Sequence, residues 1–179
     1  MTTEPLSQPA GADVDGHAIV SAQDLTRVYG EGEAAVHALD GVSVAFPRGR
    51  FTAIMGPSGS GKSTLMHCLA GLDVPTSGTV TLDGVELSGL DDSDLTKLRR
   101  EKVGFIFQSF NLLPVLTARE NIELPLSIAG DAPDGDWVER VIDTVGIRDR
   151  LTHRPSELSG GQQQRVAVAR ALASRPAVV

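Results

Sequence analysis

The chain has 179 residues, 41% of them apolar and 22% charged, which suits one globular domain with a real core. A net charge of −7 argues against unspecific binding to nucleic acid or anionic lipid, since both need a basic face. The single cysteine, Cys68, excludes an internal disulfide, fits a reducing cytosol and reads as a small buried apolar residue.

Residues 1–17 are polar, with two prolines and no apolar run, so they read as a short disordered tail rather than a signal peptide. The stretch 19–28 is predicted to be a strand. Val42, Val44 and Phe46 alternate with a period of two, as in a half-buried strand, and Pro47, Arg48 and Gly49 make a turn. The run 51–55 is nearly all apolar and predicts a strand covered on both faces, as in a parallel sheet.

Residues 63–70 predict a helix with Leu65, Leu69 and Leu72 on one stripe and Gly71 placed to end it. A strand at 79–82, a turn at Asp83-Gly84, a polar helix at 92–101 and a second buried strand at 103–107 follow. From 111 to 150 the chain turns helical. Thr117 and Glu120 have capping-box spacing, and Trp137, Val138, Val141, Ile142 and Val145 form an apolar stripe that Gly146 can end. Residues 159–174 predict the last helix, and 177–179 the opening of one more buried strand. No stretch approaches the ~20 apolar residues of a membrane helix, so any link to a membrane is expected to run through another protein.

Between the predicted strand at 51–55 and the helix after it lie Gly56, Pro57, Ser58, Gly59, Ser60, Gly61, Lys62 and Ser63, with Thr64 next. This is the G-x-x-x-x-G-K-[ST] spacing of a Walker A loop in its proper strand–helix context. Glycines let successive N–H groups turn toward phosphate oxygens, and the helix adds the positive end of its dipole. Lys62 would reach the β- and γ-phosphates and the Ser63 hydroxyl would ligate Mg²⁺. The loop alone fits a GTPase, a kinase or an ATPase.

A second helix start has a similar build. Leu158, Ser159, Gly160, Gly161 and Gln162 place two glycines at a helix N-terminus, with Ser159 and Gln162 at capping-box spacing. Here the sequence resembles the nucleotide-binding domains of ABC transporters, whose signature is L-S-G-G-Q. The resemblance implies an α/β fold: a P-loop core with an antiparallel edge sheet and an inserted helical subdomain near 111–165. It implies ATP and Mg²⁺ as ligands. It also implies a head-to-tail dimer, in which Ser159, Gly160, Gly161 and Gln162 of one copy cover the γ-phosphate held by the other's Walker A loop. Gln108 matches the Q-loop glutamine, which contacts Mg²⁺ and attacking water. Tyr29 matches the aromatic residue that stacks on adenine.

The run 107–126 is similar to ATPases of lipoprotein-releasing and macrolide-exporter type, which work with a separate membrane permease. The chain is therefore expected to lie on the inner face of the cell membrane, with no nucleic-acid partner. The family continues past its signature helix with a Walker B Asp-Glu pair and a switch histidine, and this sequence departs from it there. His17, His37, His67 and His153 all precede the signature. The expectation is a fold incomplete after the signature helix, a piece of a longer transport ATPase with little turnover of its own. The alternatives are a short chain that binds ATP without hydrolysing it and a soluble ABC protein outside transport.

Overall fold

The computed structural model describes residues 18–130 and 134–179. The expected tail at 1–17 lies outside the described residues. The chain divides into two compact units, one through Leu90 and one from Asp91 to Val179.

The first unit is built on a four-stranded antiparallel sheet in the order β2-β1-β3-β4. Its strands are β1 (Ala18–Tyr29), β2 (Val36–Pro47), β3 (Ser77–Leu82) and β4 (Val85–Glu86). Val20 pairs with Phe46 on one side and Leu82 on the other, and Ala22 with Val44 and Val80. Apolar side chains thus line up across three strands, and Val20, Ala22, Leu25, Val80 and Leu82 are all buried. The helix α1 (Lys62–Leu69) packs on β1, β2 and β3 and buries Cys68 and Leu69. Strand β2 starts six residues before the alternation at Val42 announces it. The two-residue connection Asp83-Gly84 has positive φ at both residues, the geometry of tight hairpins.

One expected strand is absent. Residues 51–55 are irregular, and Phe51 is 97% and Met55 87% exposed. An apolar run becomes a strand only when a neighbour completes its backbone hydrogen bonds, and no strand among the described residues pairs with this one.

The second unit is mainly helical, with α2 (Asp92–Lys102), α3 (Ala118–Ala129), α4 (Gly135–Val145) and α5 (Gly160–Ala173). Helix α2 begins at Asp91, whose carboxylate accepts the Asp94 N–H at 2.8 Å, and it carries acids in its first turn and bases in its last. The Thr117–Glu120 capping box forms at the start of α3 as its spacing predicts. The stripe on α4 is the core. Val138, Val141 and Ile142 pack with Ala118, Ile122 and Leu126 of α3 and with Val166, Ala169 and Ala173 of α5. Alanines on α5 let the three helices close up, and the Trp137 indole N–H caps the helix by donating to the Leu172 carbonyl at 2.9 Å. On the surface, Arg119 bridges Glu123 of α3 and Glu139 of α4.

The strands expected at 103–107 and 177–179 reduce to one parallel bridge, Val103 with Val178. The Gly104 N–H donates to the Val178 carbonyl and the Val178 N–H to that of Lys102. Beyond Gly104 the backbone leaves the pairing, and Ile106 and Phe107 are exposed. The reason is the same as at 51–55: the apolar run is there, but among the described residues a ladder on either side is not.

Candidate functional site

In the first unit, the loop before α1 is shaped by its glycines and its lysine. Gly61 is the N-cap, at φ +82°, and a Cβ there would run into the Ala38 carbonyl of β2, so only glycine fits. No side chain caps this helix. Its first-turn N–H groups, from Lys62 onward, have no acceptor within the helix by geometry. The Lys62 ammonium folds across the loop, donating to the Pro57 carbonyl at 2.6 Å and to Ser60 Oγ at 3.4 Å. Pro57, Ser58, Gly59 and Ser63 are exposed, and Thr64 is half-buried. Open N–H groups, a helix dipole and a lysine cation held across the loop converge here on the chemistry of a polyanion.

Tyr29 ends β1, 40% exposed. Its hydroxyl donates to Asp73 Oδ2, and the Arg27 guanidinium lies 4.5 Å from the ring centroid. Arg27 in turn binds both oxygens of Asp73, at 2.7 and 3.1 Å. Partial burial pushes the Asp73 carboxyl up, but the Tyr29 hydroxyl and then Arg27 outweigh it, leaving it below the usual carboxylate range. Arg27 therefore covers one face of the ring and, with Asp73, fixes its tilt.

In the second unit, Gln108 is exposed in a turn closed by the Phe110 N–H donating to the Phe107 carbonyl at 2.9 Å. Phe110 and Asn111 then adopt φ of +59° and +47°, a conformation rare for residues with side chains. The signature forms the start of α5. Ser159 Oγ accepts the Gln162 N–H at 3.4 Å, and Gln162 Oε1 accepts the Ser159 N–H at 2.8 Å. The Gln163 amide ties down the approach by donating to the Pro155 and Leu158 carbonyls. Gly160 and Gly161 are exposed at the first two helical positions, and Leu158 is buried.

Tyr29 and residues 56–64 thus belong to the first unit, and Gln108 and the signature to the second. Sequence reading missed Arg27 and Asp73, which hold Tyr29. It also missed the buried Asn121, whose side-chain oxygen accepts the Leu113 N–H and whose amide donates to the Leu113, Leu116 and Thr117 carbonyls. An R-x-Y triplet and a buried polar residue on an apolar helix face were the available signals.

The sheet, the glycine loop and the helix after it define a phosphate-binding domain of the P-loop class. The family profile described as "ABC transporter" matches residues 39–179, and the chain belongs to that family. It is 53% identical over 156 residues to the macrolide export ATP-binding/permease protein MacB of Marinobacter nauticus, covering 86% of this chain and 24% of that protein. It is 47% identical over 161 residues to the lipoprotein-releasing system ATP-binding protein LolD of Legionella pneumophila, covering 88% and 70%. Among solved structures it resembles the ATP-binding cassette MJ0796, seen as a dimer in a post-hydrolysis state bound to ADP and Pi. There the TM-score is 0.78 and the identity 45%, over 88% of this chain and 70% of that one. The chain spans about a quarter of the length of the macrolide-export relative.

Proposed function

We propose that this chain is the ATP-binding subunit of an ABC transporter of the exporter or lipoprotein-release type, coupling ATP binding and hydrolysis to a separate membrane permease. The observation that carries the reading is the loop at 56–63, with its left-handed glycine N-cap, open first-turn N–H groups and folded lysine. In this reading Gly56, Pro57, Ser58, Gly59, Ser60, Gly61, Lys62, Ser63 and Thr64 hold the triphosphate, and the free face of Tyr29 stacks on adenine. Ser63 Oγ and Gln108 Oε1 would hold Mg²⁺. These are hard oxygen donors without a carboxylate, which suits an ion carried largely by phosphates rather than by a protein cage. The ion would neutralise phosphate charge, while Gln108 orients water.

Ser159, Gly160, Gly161 and Gln162 act from a second copy, head to tail. The helical stretch near 111–165 forms a subdomain within the nucleotide-binding domain at 18–179. No helix among the described residues is long and apolar enough to cross a membrane. The reading puts the chain on the inner face of the cell membrane through its permease, without a nucleic-acid partner. These residues supply no general base, so the 179 residues alone are proposed to release little phosphate from ATP. Lys62-dependent turnover by the purified chain would overturn that last point.

The experiment is a calorimetric titration with ATP and with inorganic tripolyphosphate. Both should bind, and Tyr29→Ala should weaken ATP by roughly 5- to 150-fold, the range of one base–aromatic stack, and leave tripolyphosphate unchanged. Failure of ATP to bind at all would sink the reading. Equal weakening of both ligands would remove Tyr29 from the base site.

A further inference from the structure

Arg170 lies in the third turn of the signature helix, half-buried. Its Nη1 donates to the Asn111 carbonyl at 2.6 Å and its Nη2 to the Phe110 carbonyl at 2.7 Å. Burial lowers the guanidinium's pKa from its ordinary value, and no carboxylate among the described residues opposes that. Such a cation is expensive to bury unless it is well hydrogen-bonded, and here both bonds go to main-chain oxygens. The two residues it grips are the two non-glycine residues in the left-handed region just past Gln108. Each such residue carries strain of order 1–2 kcal/mol and persists only where its surroundings over-determine it.

The other end of the segment rests on the same helix. A Cβ at Gly104 would come within 2.6 Å of the Ala171 carbonyl, so the backbone lies directly on α5. Neighbouring residues of one helix, 170 and 171, thus hold the entry and the exit of the stretch 104–111. Gln108 sits between them on an exposed turn, closed locally by the Phe110 N–H on the Phe107 carbonyl and the Asn111 N–H on the Ser109 carbonyl.

We propose that Arg170 is a positioning residue for Gln108: its two-pronged grip on the Phe110 and Asn111 carbonyls sets the turn that presents the glutamine to the magnesium-bound nucleotide. This rests on the reading of Gln108 given above. Lysine cannot reproduce the grip, because a single ammonium lacks the planar fork that reaches two carbonyls at once.

The test compares the full chain with Arg170→Lys, Arg170→Met and Gln108→Ala. Backbone hydrogen exchange is read segment by segment, and ATP affinity is measured with Mg²⁺ and with EDTA. Arg170→Lys and Arg170→Met should speed exchange across 107–112 by about tenfold or more, the loss of a charge-assisted bond, and leave protection in α4 unchanged. Both should lower the Mg²⁺-dependent gain in ATP affinity as far as Gln108→Ala does, with the EDTA affinity unchanged. Arg170→Lys combined with Gln108→Ala should be no worse than either alone. Unchanged exchange at 107–112 overturns the proposal. So does faster exchange with the Mg²⁺ gain intact where Gln108→Ala abolishes it. A gain that Gln108→Ala does not touch overturns instead the metal role of Gln108, while faster exchange in the arginine variants still supports the anchoring.

Discussion

The two glycine-rich helix starts are made from similar ingredients and end up as different devices. At α1, Gly61 is the N-cap and no side chain closes the first turn, and Lys62, the first helical residue, folds its ammonium back onto the loop. At α5, Ser159 and Gln162 close the turn reciprocally and leave two exposed glycines at the first helical positions. The first is an open cradle with its own positive charge. The second is already satisfied on its own side and offers only the N–H groups that a helix never uses internally. The lesson is that a Gly-Gly or Gly-Lys start does not by itself say which first-turn N–H groups are left open; the cap does.

The sharpest way to break the comparison is Gly61→Ala. It puts a Cβ against the Ala38 carbonyl and forces φ +82° on an L-residue. Stability should fall by about 2 kcal/mol or more, as read by denaturant unfolding. A smaller change would mean that the loop is free to relax. Next comes Ser159→Ala, which removes a cap and should cost about 1 kcal/mol in the same assay. Ser63→Ala at α1, where no side chain caps, should stay within about 0.5 kcal/mol, and an equal loss at both sites would erase the distinction.

The smallest effect separates two capping boxes. The backbone N–H and then the hydroxyl of Thr117 hold the Glu120 carboxyl below the usual range, whereas Gln162 does not titrate. A depressed folded-state pKa gives stability that is present above the unfolded value, ~4.3 for glutamate, and lost as pH falls through the folded value. The start of α3 should therefore lose amide protection in acid before the start of α5 does. Hydrogen exchange at Thr117 and Ser159 between pH 6 and 3 would check it, and equal loss would contradict the assignment.

Local signals account for what was legible in the sequence. Both capping boxes, the stripe on α4 with Gly146 behind it and the Asp83-Gly84 turn are set by residues within a few positions of each other, and each formed as read. The runs 51–55 and 103–107 were not legible in the same way. Apolar content marks a segment as burial-prone, but a strand is a property of a pair, and among the described residues the pairing is a single bridge, Val103 with Val178. The loop and signature residues could be named from spacing. Their supports could not: Arg170 meets Phe110 60 positions away, and Arg27 meets Asp73 46 away, through backbone conformations that no local pattern announces.

The most direct measurement is ATP affinity of the dilute chain by calorimetry, with Lys62→Met and Ser159→Ala side by side. If the loop at 56–64 is the cradle and the signature acts only from a second copy, Lys62→Met should weaken ATP by roughly 10- to 100-fold, the worth of a charged hydrogen bond, and Ser159→Ala should leave it unchanged. Equal weakening by the two variants, or none by Lys62→Met, would contradict that division of roles.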